Sequence, residues 1–161
     1  PLCAELLVAH LSVLLRSAVA SIFTHPSEKI ASAVYAEKLH HAISIFHPRA
    51  VITTGDFIEE VRSANRENNA EILLFPDFPL NGDGLSEQWK FASSDATAIV
   101  QYSSGSTGMQ KAVALSHSMV IGQCESYARA ISLEPAKDLI CSWLPLYHDM
   151  GLFSSWLMPV T

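Results

Sequence analysis

A β-branched and apolar run, Ala96-Thr-Ala-Ile-Val-Gln-Tyr102, and a second short apolar run, Ala112-Val-Ala-Leu-Ser-His117, bracket the stretch Ser103-Ser-Gly-Ser-Thr-Gly-Met-Gln-Lys111. Runs of this kind read as strands, so the stretch between them is the turn of a hairpin or a strand-to-strand connection. Composition alone is also compatible with a flexible loop, but flexible linkers are not usually pinned on both sides. Gly105 and Gly108 can take φ > 0 and let the main chain approach a ligand, while the intervening hydroxyls and backbone N–H groups become donors. Lys111 adds a positive point charge suited to phosphate oxygens. Together these groups have the chemistry of a polyphosphate cradle.

The spacing rules out two familiar phosphate motifs. In G-x-x-x-x-G-K-[ST] the second glycine directly precedes the lysine. Here Met109 and Gln110 intervene, and Ala112 stands where a hydroxyl is required. The G-x-G-x-x-G dinucleotide fingerprint is also absent.

Upstream, the chain alternates. Ala36 to Phe46 has a helical apolar pattern, Ala50 to Thr54 reads as a strand, Asp56 to Asn65 as a charged helix and Glu71 to Phe75 as a strand. Alternating βα units predict an α/β fold with a mostly parallel sheet covered by helices on both faces. Asp77 to Asp95, with Asn81-Gly-Asp-Gly84, reads as a polar loop. Ser116 is placed to cap a helix running to about Ile131, and Leu139 to Trp143 reads as a further strand. The closing Leu157-Met-Pro-Val-Thr161 reads as the approach to another strand.

The apolar run Leu6 to Phe23 raises the question of a membrane span or signal peptide. His10, Arg16 and three serines interrupt it, short of the roughly 18 apolar residues that a span needs. The expectation is a buried helix ending in a strand, Val19 to Thr24, with no transmembrane segment. At 161 residues and 49% hydrophobic, the chain can bury one good core and suits a single domain. A net charge of −6 without a Lys/Arg cluster argues against a nucleic-acid partner. Cys3, Cys124 and Cys141 form no close pairs, so neither a disulfide framework nor a zinc site is expected, and a cytoplasmic, reducing setting fits. His40, His41 and His47 cluster in sequence, but on a helix His41 points about 100° away from the face shared by the other two. A structural or solvated role is expected for them, and no metal site.

A second block, Ser142-Trp-Leu-Pro-Leu-Tyr-His-Asp-Met-Gly-Leu152, follows the loop and the Ser116-His117 pair. In this order and spacing the three elements resemble the adenylate-forming superfamily of acyl-CoA synthetases, fatty acyl-AMP ligases and their relatives. Those enzymes carry a Ser/Thr/Gly-rich loop ending in Pro-Lys-Gly, then Ser-His or Thr-His, then Leu-Pro-x-x-His-x-x-Gly. The wording of the second block looks most like the fatty acyl-AMP ligase branch.

The resemblance implies a phosphate loop over 102–111, with Ser103, Ser104, Gly105, Ser106, Thr107, Gly108 and Lys111 gripping the β- and γ-phosphates of ATP. It implies an acyl and adenylate pocket over 142–152, with His148 near the reacting carboxylate and Tyr147 and Gly151 around it. Lys111 and His148 are then the residues expected to carry the reaction, with magnesium on the phosphates. A fatty acid is the expected substrate, and a carrier-protein phosphopantetheine or coenzyme A the acceptor. For His148 the alternative is a core histidine buried by Tyr147 and Trp143. For His117 it is a structural role supporting the loop.

Gln110 and Ala112 depart from the family's proline and glycine. If the backbone needed φ > 0 at 112, Lys111 would be misdirected, which leaves open a degenerate or purely nucleotide-binding relative. The implied whole is several times longer. The chain is therefore expected to be a fragment from the middle of the N-terminal domain, inactive in adenylation by itself.

Overall fold

The alternation of short strands with amphipathic helices is realised most directly between Thr24 and Glu87, one of two units into which the chain divides; Pro1–Phe23 with Gln88–Thr161 forms the other. The computed structural model describes residues 3–26, 30–75, 91–103 and 111–161. In chain order the elements begin with α1 (Ala4–Leu15), α2 (Ser32–Phe46), β1 (Ala50–Thr54), a 3₁₀ turn (Gly55–Phe57), α3 (Ile58–Ala64) and β2 (Glu71–Phe75). They continue with β3 (Thr97–Ser103), β4 (Lys111–Ser116), α4 (His117–Ala130), a π-helix (Gly151–Leu157) and a 3₁₀ turn (Met158–Val160).

In the Thr24–Glu87 unit, α2 buries Tyr35, Ala36, Leu39, Ala42 and Ile43, which recur at helical spacing. The helix stops where His47 turns left-handed, at φ 45°, just before Pro48. In α3, Glu59 and Glu60 occupy the first turn and Arg62 the last, complementing the helix dipole. Val61 and Ala64 are buried, and α3 packs on α2. The strands on either side of α3 pair in parallel, from Ala50 opposite Glu71 to Thr54 opposite Phe75, which completes a βαβ unit. His40 ties the two helices together: Nδ1–H donates to the Ala64 carbonyl at 2.8 Å, and Nε2 lies 3.8 Å from the Glu67 carboxylate. His41 and His47 are exposed. The Tyr35 hydroxyl donates to the Thr24 carbonyl at 2.9 Å, and burial, aided by nearby Glu60, pushes this phenol up to about 12.

In the other unit β3 is the organising strand. It pairs antiparallel with β4, from Thr97 opposite Ser116 to Ser103 opposite Lys111, with an irregularity between Thr97 and Ile99. On its other edge it meets Ala20 in parallel, where Ala20 N–H donates to the Ala98 carbonyl and Val100 N–H to the Ala20 carbonyl, both at 2.9 Å. The strand expected over Val19 to Thr24 thus reduces to one bridge. Ala98 and Ile99 pack with Val120 and Cys124 of α4 and with Leu152, Phe153, Leu157 and Met158 of the closing segment.

Three expectations in this unit are corrected. Helix α1 is not buried: only His10 among its residues is, while Val8 and Leu15 are exposed, because its apolar residues lie all round it and one side alone meets the core. Leu139 to Trp143 is not a strand; Leu139 and Trp143 are 92% and 91% exposed, and the segment has no strand beside it among the described residues. Leu157 to Thr161 continues a helix, because Leu152, Phe153, Leu157 and Met158 reach the core at helical spacing and Pro159 is accommodated in a first turn. Among the described residues no helix is long and apolar enough to cross a membrane.

Candidate functional site

The glycine- and serine-rich connection joins the end of β3 to the start of β4. Its residues Ser104, Gly105, Ser106, Thr107 and Gly108, with Met109 and Gln110, lie outside the described residues. Its two anchors are described: Ser103 and Lys111 form the last pair of the ladder, so the connection is a hairpin between antiparallel strands. Lys111 is exposed at the first position of β4. The strand before it is clamped, since the Tyr102 ring stands edge-on to Phe23 with centroids 5.3 Å apart. Burial pushes the Tyr102 phenol up, against a smaller opposing effect of a hydrogen bond with Ser21. Ala112 is a paired β4 residue opposite Tyr102 and is not among the non-glycine residues with positive φ. The backbone at this position therefore makes no demand that only glycine could meet, and the concern that Ala112 misdirects Lys111 falls.

The second block folds into a tight turn. Ser142 Oγ accepts the Leu144 N–H at 3.1 Å, His148 N–H donates to the Pro145 carbonyl at 3.1 Å and Leu152 N–H to the His148 carbonyl at 2.9 Å. Gly151 is demanded sterically: a Cβ there would lie 2.3 Å from the Pro145 carbonyl oxygen and 3.1 Å from that of Leu144. Leu146 is buried beneath the turn, while the rings of Tyr147 and His148 lie against each other with centroids 4.8 Å apart. His148 is exposed, and Trp143 does not cover it, which overturns the core-histidine alternative.

One hydrogen bond connects this turn to the strand that feeds the loop. Gln101 Nε2 donates to the Tyr147 carbonyl at 2.7 Å, although the two are far apart in sequence. The fold thereby joins the Tyr147–His148 turn to β3 close to Ser103. In the sequence Gln101 is one polar residue inside an apolar strand, and the signal for its role is that an amide there must find a partner when it is half buried.

His117 opens α4. Its backbone N–H donates to the Ala96 carbonyl at 3.1 Å, extending the ladder, and the preceding Ser116 Oγ accepts the Met119 N–H at 3.3 Å as a helix cap. The His117 Nε2 atom is buried without a protein partner. It borders an open cleft of about 700 Å³ lined by Leu11, Leu14, Phe91, Ile121 and Glu125 among others. Neither Lys111 nor Tyr147 nor His148 borders this cleft, so its size is no guide to where chemistry occurs. Among the described residues no three His, Cys, Asp or Glu side chains converge as a metal cage would need.

The sequence pattern of the family described as "AMP-binding enzyme" matches residues 1–161. The long-chain-fatty-acid–AMP ligase FadD32 of Mycolicibacterium smegmatis is 29% identical over 97% of this chain and 25% of its own length. The 4-hydroxyphenylalkanoate adenylyltransferase of Mycobacterium tuberculosis is 30% identical over 79% of this chain and 22% of its own. A solved structure from work on fatty acyl-adenylate ligases of E. coli and L. pneumophila superimposes with a TM-score of 0.83 at 28% identity, covering 98% of this chain and 28% of the other. The chain thus spans about a quarter of the length of the proteins it matches.

Proposed function

The chain belongs to the AMP-binding enzyme family, and from that premise we propose that it is the part of a fatty acyl-AMP ligase that holds ATP phosphates and the reacting carboxylate. In this reading residues 1–161 are part of one N-terminal domain, with a phosphate loop over 102–111 and an acyl and adenylate pocket over 142–152. The carboxylate oxygen of a fatty acid attacks the α-phosphorus of ATP, the bond to the bridging oxygen breaks, and acyl-AMP and pyrophosphate result. The acyl carbon then passes to a thiol, releasing AMP.

Such a reaction is catalysed mainly by positioning and by neutralising charge. Ser103, Ser104, Gly105, Ser106, Thr107 and Gly108 supply donors to the β- and γ-phosphates, and Lys111 supplies the cation that stabilises departing pyrophosphate. His148 and Tyr147 orient the carboxylate toward the α-phosphorus, and Gly151 keeps their turn closed against Pro145. Magnesium in phosphate sites needs only one or two protein carboxylates beside phosphate oxygens, so here it enters on ATP rather than in a cage of these residues.

The observation that carries this reading is the junction at β3: the Ser103–Lys111 pair closes the loop's base, while Gln101 holds the Tyr147 carbonyl at 2.7 Å. The turn is thereby tied to the strand that leads into the loop, which supports a site where phosphate and carboxylate meet. A long-chain fatty acid as substrate is supported by the FadD32 relative, and the hydroxyphenylalkanoate relative makes an aryl-bearing acid the second candidate. A carrier-protein phosphopantetheine is the proposed acceptor, with coenzyme A the alternative, in a cytoplasmic setting.

The test is pyrophosphate release by the complete polypeptide carrying this chain, supplied with ATP, magnesium and a long-chain fatty acid, with carrier protein or coenzyme A added in parallel. Acyl-AMP followed by transfer to carrier protein alone is the expected result. Transfer to coenzyme A would move the assignment to the synthetase branch, and no adenylate with any carboxylic acid would refute it.

A further inference from the structure

We infer that Gln101 is a positioning residue for adenylation, setting the Tyr147–His148 turn in register with the phosphate loop. The inference rests on the functional reading above and assigns a role to a residue outside both sequence motifs. Successive residues of a strand point to opposite faces. On β3, the Tyr102 ring meets Phe23 and the Gln101 amide meets the Tyr147 carbonyl, so the strand is held on both faces immediately before the loop begins. The ladder fixes its edge as well, with Gln101 opposite Val113 and Tyr102 opposite Ala112.

The turn that carries His148 meets this strand through that amide. His148 is exposed and Tyr147 is half buried, while Leu146 and Leu152 anchor the turn to the interior. A directional 2.7 Å hydrogen bond to the carbonyl of the residue before His148 adds a restraint on rotation that buried leucines do not supply. An isosteric group without an N–H at this position removes that restraint and lets the carboxylate-orienting turn drift. Small misplacements of reacting groups cost far more in rate than in binding.

The experiment compares wild type, Gln101→Met and Gln101→Glu in the complete polypeptide, measuring acyl-AMP formation. Both variants keep the side chain's length and remove the donor at neutral pH. The expected result is a fall of about 10- to 100-fold in kcat with KM for ATP within about twofold of wild type. The split between kcat and KM is the readout that a merely structural role would not move, since general loosening of the domain would weaken ATP binding as well.

An unchanged kcat in Gln101→Met, or a loss confined to KM for ATP, would overturn the inference while leaving the functional reading intact. Should Gln101→Met fail to fold, the same split in Gln101→Glu decides alone. Wild type that makes no acyl-AMP would sink the functional reading, and this role with it.

Discussion

Among the described residues of its unit, His10 is the one buried polar side chain, and it carries an acid liability. The side chain is 4% exposed, and Trp156 Nε1–H donates to Nδ1 at 3.3 Å. An imidazole that accepts at Nδ1 carries its proton on Nε2, and that N–H is buried without a partner. Burial holds the pKa at about 4, down from 6.5. Protonating Nδ1 would also set two donors against each other at the indole.

Because the folded-state pKa lies below the unfolded value, the unfolded chain binds more protons between them. Stability therefore rises with pH in that window: the contribution is complete above 6.5 and is lost as the pH falls toward 4. At 1.36 kcal/mol per pH unit the full loss is about 3 kcal/mol, of which about 2 kcal/mol is gone by pH 5. Urea unfolding followed by tryptophan fluorescence, at pH 7.5 and 5, measures it. His10→Gln supplies the reference, since its amide oxygen can accept the Trp156 N–H but does not titrate. Wild type should lose about 2 kcal/mol more than the variant over this interval. Equal losses in the two proteins would refute the reasoning and mean that His10 charges without penalty in the fold.

Two further outcomes follow from local geometry. Gly151→Ala drives a Cβ into the Pro145 carbonyl that accepts the His148 N–H. It should cost about 1–3 kcal/mol in thermal or urea unfolding, and acyl-AMP formation should fall out of proportion to the stability loss. Ser116→Ala removes the cap on Met119 N–H and should lower stability by about 1 kcal/mol in urea unfolding, leaving the far-UV signature unchanged.

Local signals carried unequal weight. Ala50–Thr54 and Glu71–Phe75 are strands over the bounds their composition marks, and Ser116 caps α4 as its side chain allows. In those places propensity, turn chemistry and tertiary packing agree. Leu139 to Trp143 looked like a strand by residue type, yet a strand exists only where a neighbour offers backbone partners. The apolar run from Leu6 is interrupted where Ser17 turns left-handed, at φ 56°, and α1 ends at Leu15.

The candidate site divides in the same way. Sequence alone determined the chemical inventory: a hydroxyl- and glycine-rich loop ending in Lys111, and a block bearing Tyr147, His148 and Gly151. These are properties of residue type and short-range spacing, which the chain carries wherever it folds. Only tertiary structure decided that His148 is exposed, that Ala112 needs no glycine backbone, and that Gln101 joins the turn to the loop's strand. Each depends on which distant segment packs where, because burial and a hydrogen bond between remote residues are set by three-dimensional proximity that no local pattern encodes.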